Sequence, residues 1–163
     1  MLSKTPAHGL RIGFIVGPAE LIGEMRALRR LITRHVPSNN AHIASLFIAQ
    51  GHHDAFIRKL NMTYRERRAT LVAALQTHLP SFGVLSQGGS GAWIRGPEGL
   101  DSQQFALACA AQGVLLEPGE IFFSNPSAAT RSCFRLVYSA IANSAIESGV
   151  EVMRQVFEEL YHL

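Results

Sequence analysis

From Asp54 to Leu79 the chain runs for about 25 residues without a glycine or a proline, until Pro80 stops it. Phe56, Leu60, Tyr64, Leu71, Leu75 and Leu79 recur at helical spacing along this run, so one long helix is expected. At the usual rise it would span nearly 40 Å. A compact domain of 163 residues has no need of so long an element, so the helix is expected to bridge two lobes.

Composition narrows the class. The apolar share is 47% and the charged share 17%, which describes a globular chain with a real core. No segment approaches the roughly 20 apolar residues of a membrane span, and the N-terminus carries no signal-peptide pattern. Cys109 and Cys133 form neither a disulfide framework nor a metal spacing. They read as reduced thiols in a cytoplasmic protein. His52-His53 lacks a third ligand, so no metal is expected.

The net charge of +3 is unevenly placed. Arg26, Arg29, Arg30 and Arg34 fall on helical spacing, and Arg58, Lys59, Arg65, Arg67 and Arg68 form a second group. Such stripes read either as solvated helix faces or as contacts for nucleic-acid phosphates.

Ahead of the long helix, Leu10–Val16 is a short apolar run bounded by Gly9 and by Gly17-Pro18. It reads as a buried strand interrupted by one charge, Arg11, which needs a partner. Leu21, Met25, Leu28 and Ile32 mark a first helix ending before Pro37, and Ala41–Ala49 a second ending at Gly51. Beyond Pro80 the texture changes. Phe82–Leu85 and Ala92–Arg95 read as strands around the glycine-rich turn Gln87–Gly91, with Val114–Leu116 and Phe134–Tyr138 as further strands. Asp101 and Gln104 are expected to cap a helix through Ala111, and Ser144 and Glu147 to box the start of the last one. In that last helix Ile146, Val150, Met153, Phe157 and Leu160 should face inward.

A chemical constellation sits at the start of the chain. A lysine amine attacks carbonyls once deprotonated, and an arginine fork suits phosphate. Lys4 and Arg11, seven positions apart, offer the pair that pyridoxal phosphate requires. The wording around them, LSKTPAHGLRIGFIVGP, resembles the Ser-Lys-x-x-x-x-Gly-x-Arg-x-Gly signature of fold type I pyridoxal phosphate enzymes, the aspartate aminotransferase superfamily. The resemblance continues in order. GHHDAFIRKLNMTYRERRATLVAAL is similar to the long interdomain helix of the MocR/GabR branch of transcriptional regulators, in the GntR family. GGSGAWIRGPEGLD and GVLLEPGEIFF are similar to its small-domain strands, and CFRLVYSAI to the strand whose arginine grips a substrate carboxylate.

This resemblance implies an α/β fold: the C-terminal portion of the aminotransferase fold, with an α+β small domain whose helices pack on one side of a small sheet. Residues 1–53 would be a remnant of the cofactor-binding large domain, 54–80 the interdomain helix and 81–163 the small domain. Lys4 would hold pyridoxal 5'-phosphate, with Ser3 beside it and Arg11 on the phosphate, and Arg135 would take the carboxylate of an amino acid or amine ligand. The plainer alternative for Arg135 is a cross-strand arginine reaching solvent. The sequence departs from the pattern where His8 precedes Gly9 and the proline is Pro6.

In the full fold an upstream large domain supplies the rest of the cofactor site, and in the regulator branch a winged-helix domain further upstream binds DNA. The chain alone is therefore expected to lack cofactor and activity. A strand removed from its parallel sheet exposes its edges, so residues 1–17 should be repacked, swapped or left loose, and a homodimer is expected. The rival expectation is a non-catalytic regulatory or DNA-binding module.

Overall fold

The structure, a computed structural model, describes residues 12–161. Three helices come first: α1 (Ala19–Ile32), α2 (Ser38–Ala49) and α3 (His52–His78). Strands β1 (Gly83–Val84) and β2 (Gly91–Arg95), helix α4 (Ser102–Ala111), strand β3 (Glu117–Pro118), a short helix α5 (Ala128–Arg131), strand β4 (Cys133–Val137) and helix α6 (Ile146–Tyr161) follow. The chain divides into two compact units, with the division between Asn61 and Met62, inside α3.

In the first unit the helices form where the apolar spacing and the flanking prolines Pro18 and Pro37 place them. Among its described residues, Ala44 alone is buried. The buried strand expected over Leu10–Val16 is not found in its described part: residues 12–16 belong to no strand, and Phe14 and Val16 are 70% and 87% exposed. A strand holds only if neighbours complete its ladder, and no described strand pairs there.

The second unit is built on a four-stranded antiparallel sheet in the order β1-β2-β4-β3. Cross-strand partners share a face. Ala92 opposite Leu136, and Ile94 opposite Phe134, lie on the buried face. Against them pack Leu71 and Leu75 from α3, Phe105 and Cys109 from α4, and Val150 and Met153 from α6. Phe82 and Phe105 each meet Phe134 and Phe157, and each other, in tilted or edge-on ring contacts with centroids 5.2–6.4 Å apart. This is the expected mixed architecture, a small sheet with helices on one side. Cys109 is a small core residue, and burial pushes its thiol up to about 12.

Local chemistry explains the boundaries. The Asp101 carboxylate accepts from the backbone N–H groups of Gln103 and Gln104 at 2.9 and 3.0 Å, capping α4 as expected. The strand expected at Val114–Leu116 is displaced to Glu117–Pro118. The Val114 N–H is still bonded to the Cys109 carbonyl at the end of α4, and Gly113 turns the chain at φ +83°. The capping box expected from Ser144 and Glu147 does not form, because Asn143–Ala145 is a 3-10 turn and α6 begins only at Ile146. Glu147 faces His78 instead, at 3.6 Å.

Two arginines of α3 overturn the solvated-face reading of their stripe. Arg67 donates to the Tyr138 and Ser139 carbonyls at 3.2 and 2.5 Å, just past the end of β4. Arg68 donates to the Ser86 carbonyl at 2.8 Å, after β1. Both are half-buried, and their charges satisfy strand-end carbonyls that the ladder leaves over. Arg26, Arg29, Arg30 and Arg34 remain exposed.

Candidate functional site

The side of the sheet opposite the core carries one row of chemically active side chains. Trp93 on β2 pairs with Arg135 on β4, and Arg135 pairs with Glu117 on β3. Direct opposition puts all three on one face, and each is only partly buried. Arg135 Nε donates to Glu117 Oε2. That bond, more than the pair's Coulomb attraction, holds the guanidinium above its ordinary pKa against a smaller loss from burial.

An aromatic group underlies this pair. The Arg135 guanidinium carbon lies 4.9 Å from the centre of the Phe122 ring, within cation–π range. Trp93 meets Phe122 edge-on at 5.5 Å and Phe123 at 5.9 Å. Phe122 ends the 3-10 turn Gly119–Phe122 that directly follows β3. The turn approaches β4 so closely that a Cβ on Gly119 would run into the Cys133 carbonyl. Glycine is required there by that approach. Glu117-Pro118-Gly119 thus places a carboxylate and an aromatic ring on the same arginine.

A largely apolar cleft of about 600 Å³ opens at this end of the sheet, lined in part by Leu71, Ile141, Ile146 and Val150, with Glu117 and Arg135 also among its lining residues. Leu71, Ile146 and Val150 belong to the buried core, whereas the Arg135 side chain, 43% exposed, stands on the opposite face of the sheet.

Of the residues singled out in the sequence, Arg135 lies in this row. Lys4, Arg11 and Ser3 lie outside the described residues. Trp93, Glu117 and Phe122 escaped the sequence reading. A carboxylate immediately before Pro-Gly was the only local sign of Glu117, since its partner is chosen by register across 18 residues of sequence.

Comparison with known proteins places the fold. The family model described as "Aminotransferase class I and II" matches residues 4–153, and the chain belongs to this family. Its proteins work with pyridoxal phosphate. The chain is 38% identical over 149 residues to the HTH-type transcriptional regulator TauR of Rhodobacter capsulatus, covering 91% of this chain and 31% of that protein. It is 27% identical over 166 residues to the probable rhizopine catabolism regulatory protein MocR of Rhizobium meliloti, covering 95% of this chain and 31% of the regulator. The crystal structure of LysN, the α-aminoadipate aminotransferase of Thermus thermophilus complexed with N-(5'-phosphopyridoxyl)-L-leucine, superposes with a TM-score of 0.88 at 22% identity. That match covers 99% of this chain and 41% of LysN. The chain thus spans about a third of the length of the regulators it matches.

Proposed function

We propose that this chain is the C-terminal part of the effector domain of a MocR-type transcriptional regulator, which holds pyridoxal phosphate and senses an amino acid or amine. The observation that carries the reading is the 38% identity to TauR along 91% of the chain. The half-exposed Arg135, in the strand similar to the carboxylate-gripping one, supports it.

In this reading Lys4, Arg11 and Ser3 would hold the cofactor: the Lys4 amine would be its point of attachment, Arg11 would neutralise its phosphate, and Ser3 would lie beside the lysine. Bound there, pyridoxal phosphate supplies an electron-withdrawing ring that loosens the bonds of an attached amino acid's α-carbon. Arg135 orients that amino acid by its carboxylate, through charge-assisted hydrogen bonds each worth about 1.5–3 kcal/mol. In an aminotransferase the freed lysine would also carry the α-proton; in a regulator, occupancy of the site biases a conformational equilibrium instead. The intact protein is proposed as a cytoplasmic homodimer, with DNA held by a domain upstream of the matched region. No helix among the described residues is long and apolar enough to cross a membrane.

The test uses the complete reading frame that carries this chain. Added pyridoxal phosphate should give a visible absorbance band that Lys4→Ala abolishes, and amino acids should alter both that band and DNA affinity. A band that survives Lys4→Ala would sink the assignment of the lysine.

A further inference from the structure

We infer that Glu117 is a positioning residue for Arg135: it engages the Nε edge of the guanidinium and so presents the Nη1/Nη2 edge to an incoming carboxylate. The inference rests on the carboxylate-binding reading of Arg135 given above.

A guanidinium has two edges that can take a carboxylate bidentately, the side edge that includes Nε and the end edge formed by Nη1 and Nη2. Here Glu117 Oε2 accepts from Nε, so the side edge is already in use within the protein. Phe122 lies under the guanidinium plane at 4.9 Å, and Trp93 braces Phe122 edge-on at 5.5 Å. A free arginine samples many rotamers, so one held on an edge and on a face loses less entropy when ligand arrives. Glu117 is itself firmly placed. It lies directly across the ladder from Arg135, Pro118 restricts the backbone after it, and Gly119 lets the turn close against β4.

The arrangement has an electrostatic consequence. Glu117 cancels the arginine's charge before any ligand binds, so long-range attraction for anions is weak and recognition depends on hydrogen-bond geometry. The site should therefore discriminate by the presence of a correctly oriented carboxylate rather than by net negative charge.

The experiment compares, in the cofactor-loaded product of the complete reading frame, the affinities of L-alanine, L-leucine and L-phenylalanine with those of ethylamine, isopentylamine and phenethylamine. The ratio of each pair isolates the carboxylate. Glu117→Ala should lower the ratio about tenfold. Glu117→Gln, whose amide oxygen still accepts from Nε, should restore it to within about threefold. Glu117→Asp keeps the charge but shortens the reach by one methylene, and should behave like alanine. An unchanged or raised ratio in Glu117→Ala, or a Glu117→Asp variant as good as the parent, overturns the positioning role. Arg135→Ala is the control on the underlying reading. If it leaves the ratio intact, the carboxylate is bound elsewhere and that reading fails first. A ligand-free readout stands beside these: the Arg135 Nε–H resonance should exchange slowly in the parent and in Glu117→Gln, and rapidly in Glu117→Ala. Rapid exchange in the parent would equally overturn the inference.

Discussion

Helices α1 and α6 carry the same kind of apolar stripe and meet opposite fates. Along α6, Ile146, Val150, Met153 and Val156 are buried against the sheet's inner face. Along α1, Leu21, Met25, Leu28 and Ile32 are all exposed, and Leu31 is 83% exposed. The difference lies in what each helix has beside it within its own unit. The second unit supplies a four-stranded sheet and core residues from α3 and α4, whereas the first supplies no strand among its described residues. Amphipathic spacing makes a helix that wants a partner, and most of its stability then comes from finding one.

The contrast is sharpest in the core. Phe134 is fully buried, with Phe105 and Phe82 centred 5.7 and 6.1 Å away. Phe134→Ala should destabilise the second unit by about 3–5 kcal/mol. Leu31→Ala, by contrast, should stay within about 0.5 kcal/mol. Parallel denaturant titrations of the 163-residue chain check both, and a large loss in Leu31→Ala would show that α1 is covered in solution.

A smaller effect is expected where α3 ties into the sheet. Removing the Arg67 donors from the Tyr138 and Ser139 carbonyls should cost about 1.5–3 kcal/mol, with partial rescue by lysine. Hydrogen exchange should localise the loss to the end of β4. Uniform protection in Arg67→Ala would show that solvent replaces the bonds without penalty.

The gentlest probe is pH. Glu151 accepts from Arg154, and His78 lies 2.8 Å away. Chiefly the Arg154 hydrogen bond holds this carboxyl below its ordinary value. A carboxyl depressed in the folded state stabilises the fold above its unfolded pKa, and that contribution fades as pH falls through the lowered value. The thermal midpoint of the second unit should therefore drop on acidification below the usual carboxylate range, and Glu151→Gln should flatten that slope. An identical slope in the glutamine variant would assign the acid sensitivity elsewhere.

Much of the second unit was legible before any coordinates. The α3 run, the Asp101 cap and the Phe134–Tyr138 strand all follow from spacing and end chemistry, which act over a few residues. The errors share a cause. Val114–Leu116 reads as a strand, but Val114 is still engaged in closing α4, and pairing with β4 begins only at Glu117. Leu10–Val16 reads as a buried strand, yet its described residues lack the neighbours that would bury them. In the row opposite the core, Arg135 was visible through its motif, but Glu117 was not, because a residue's neighbour across a ladder is a question of register.

By itself the amino-acid order determined which segments coil and where they stop, since helical periodicity, proline and capping carboxylates operate within one or two turns. It also carried the family, through ordered motifs along the chain. Only the tertiary structure decided that Arg67 and Arg68 cap strand ends, that Glu117 and Phe122 close on Arg135, and that one apolar stripe is buried while another is bare. Those outcomes depend on which surfaces meet, and burial is a property of pairs of elements that no single segment encodes.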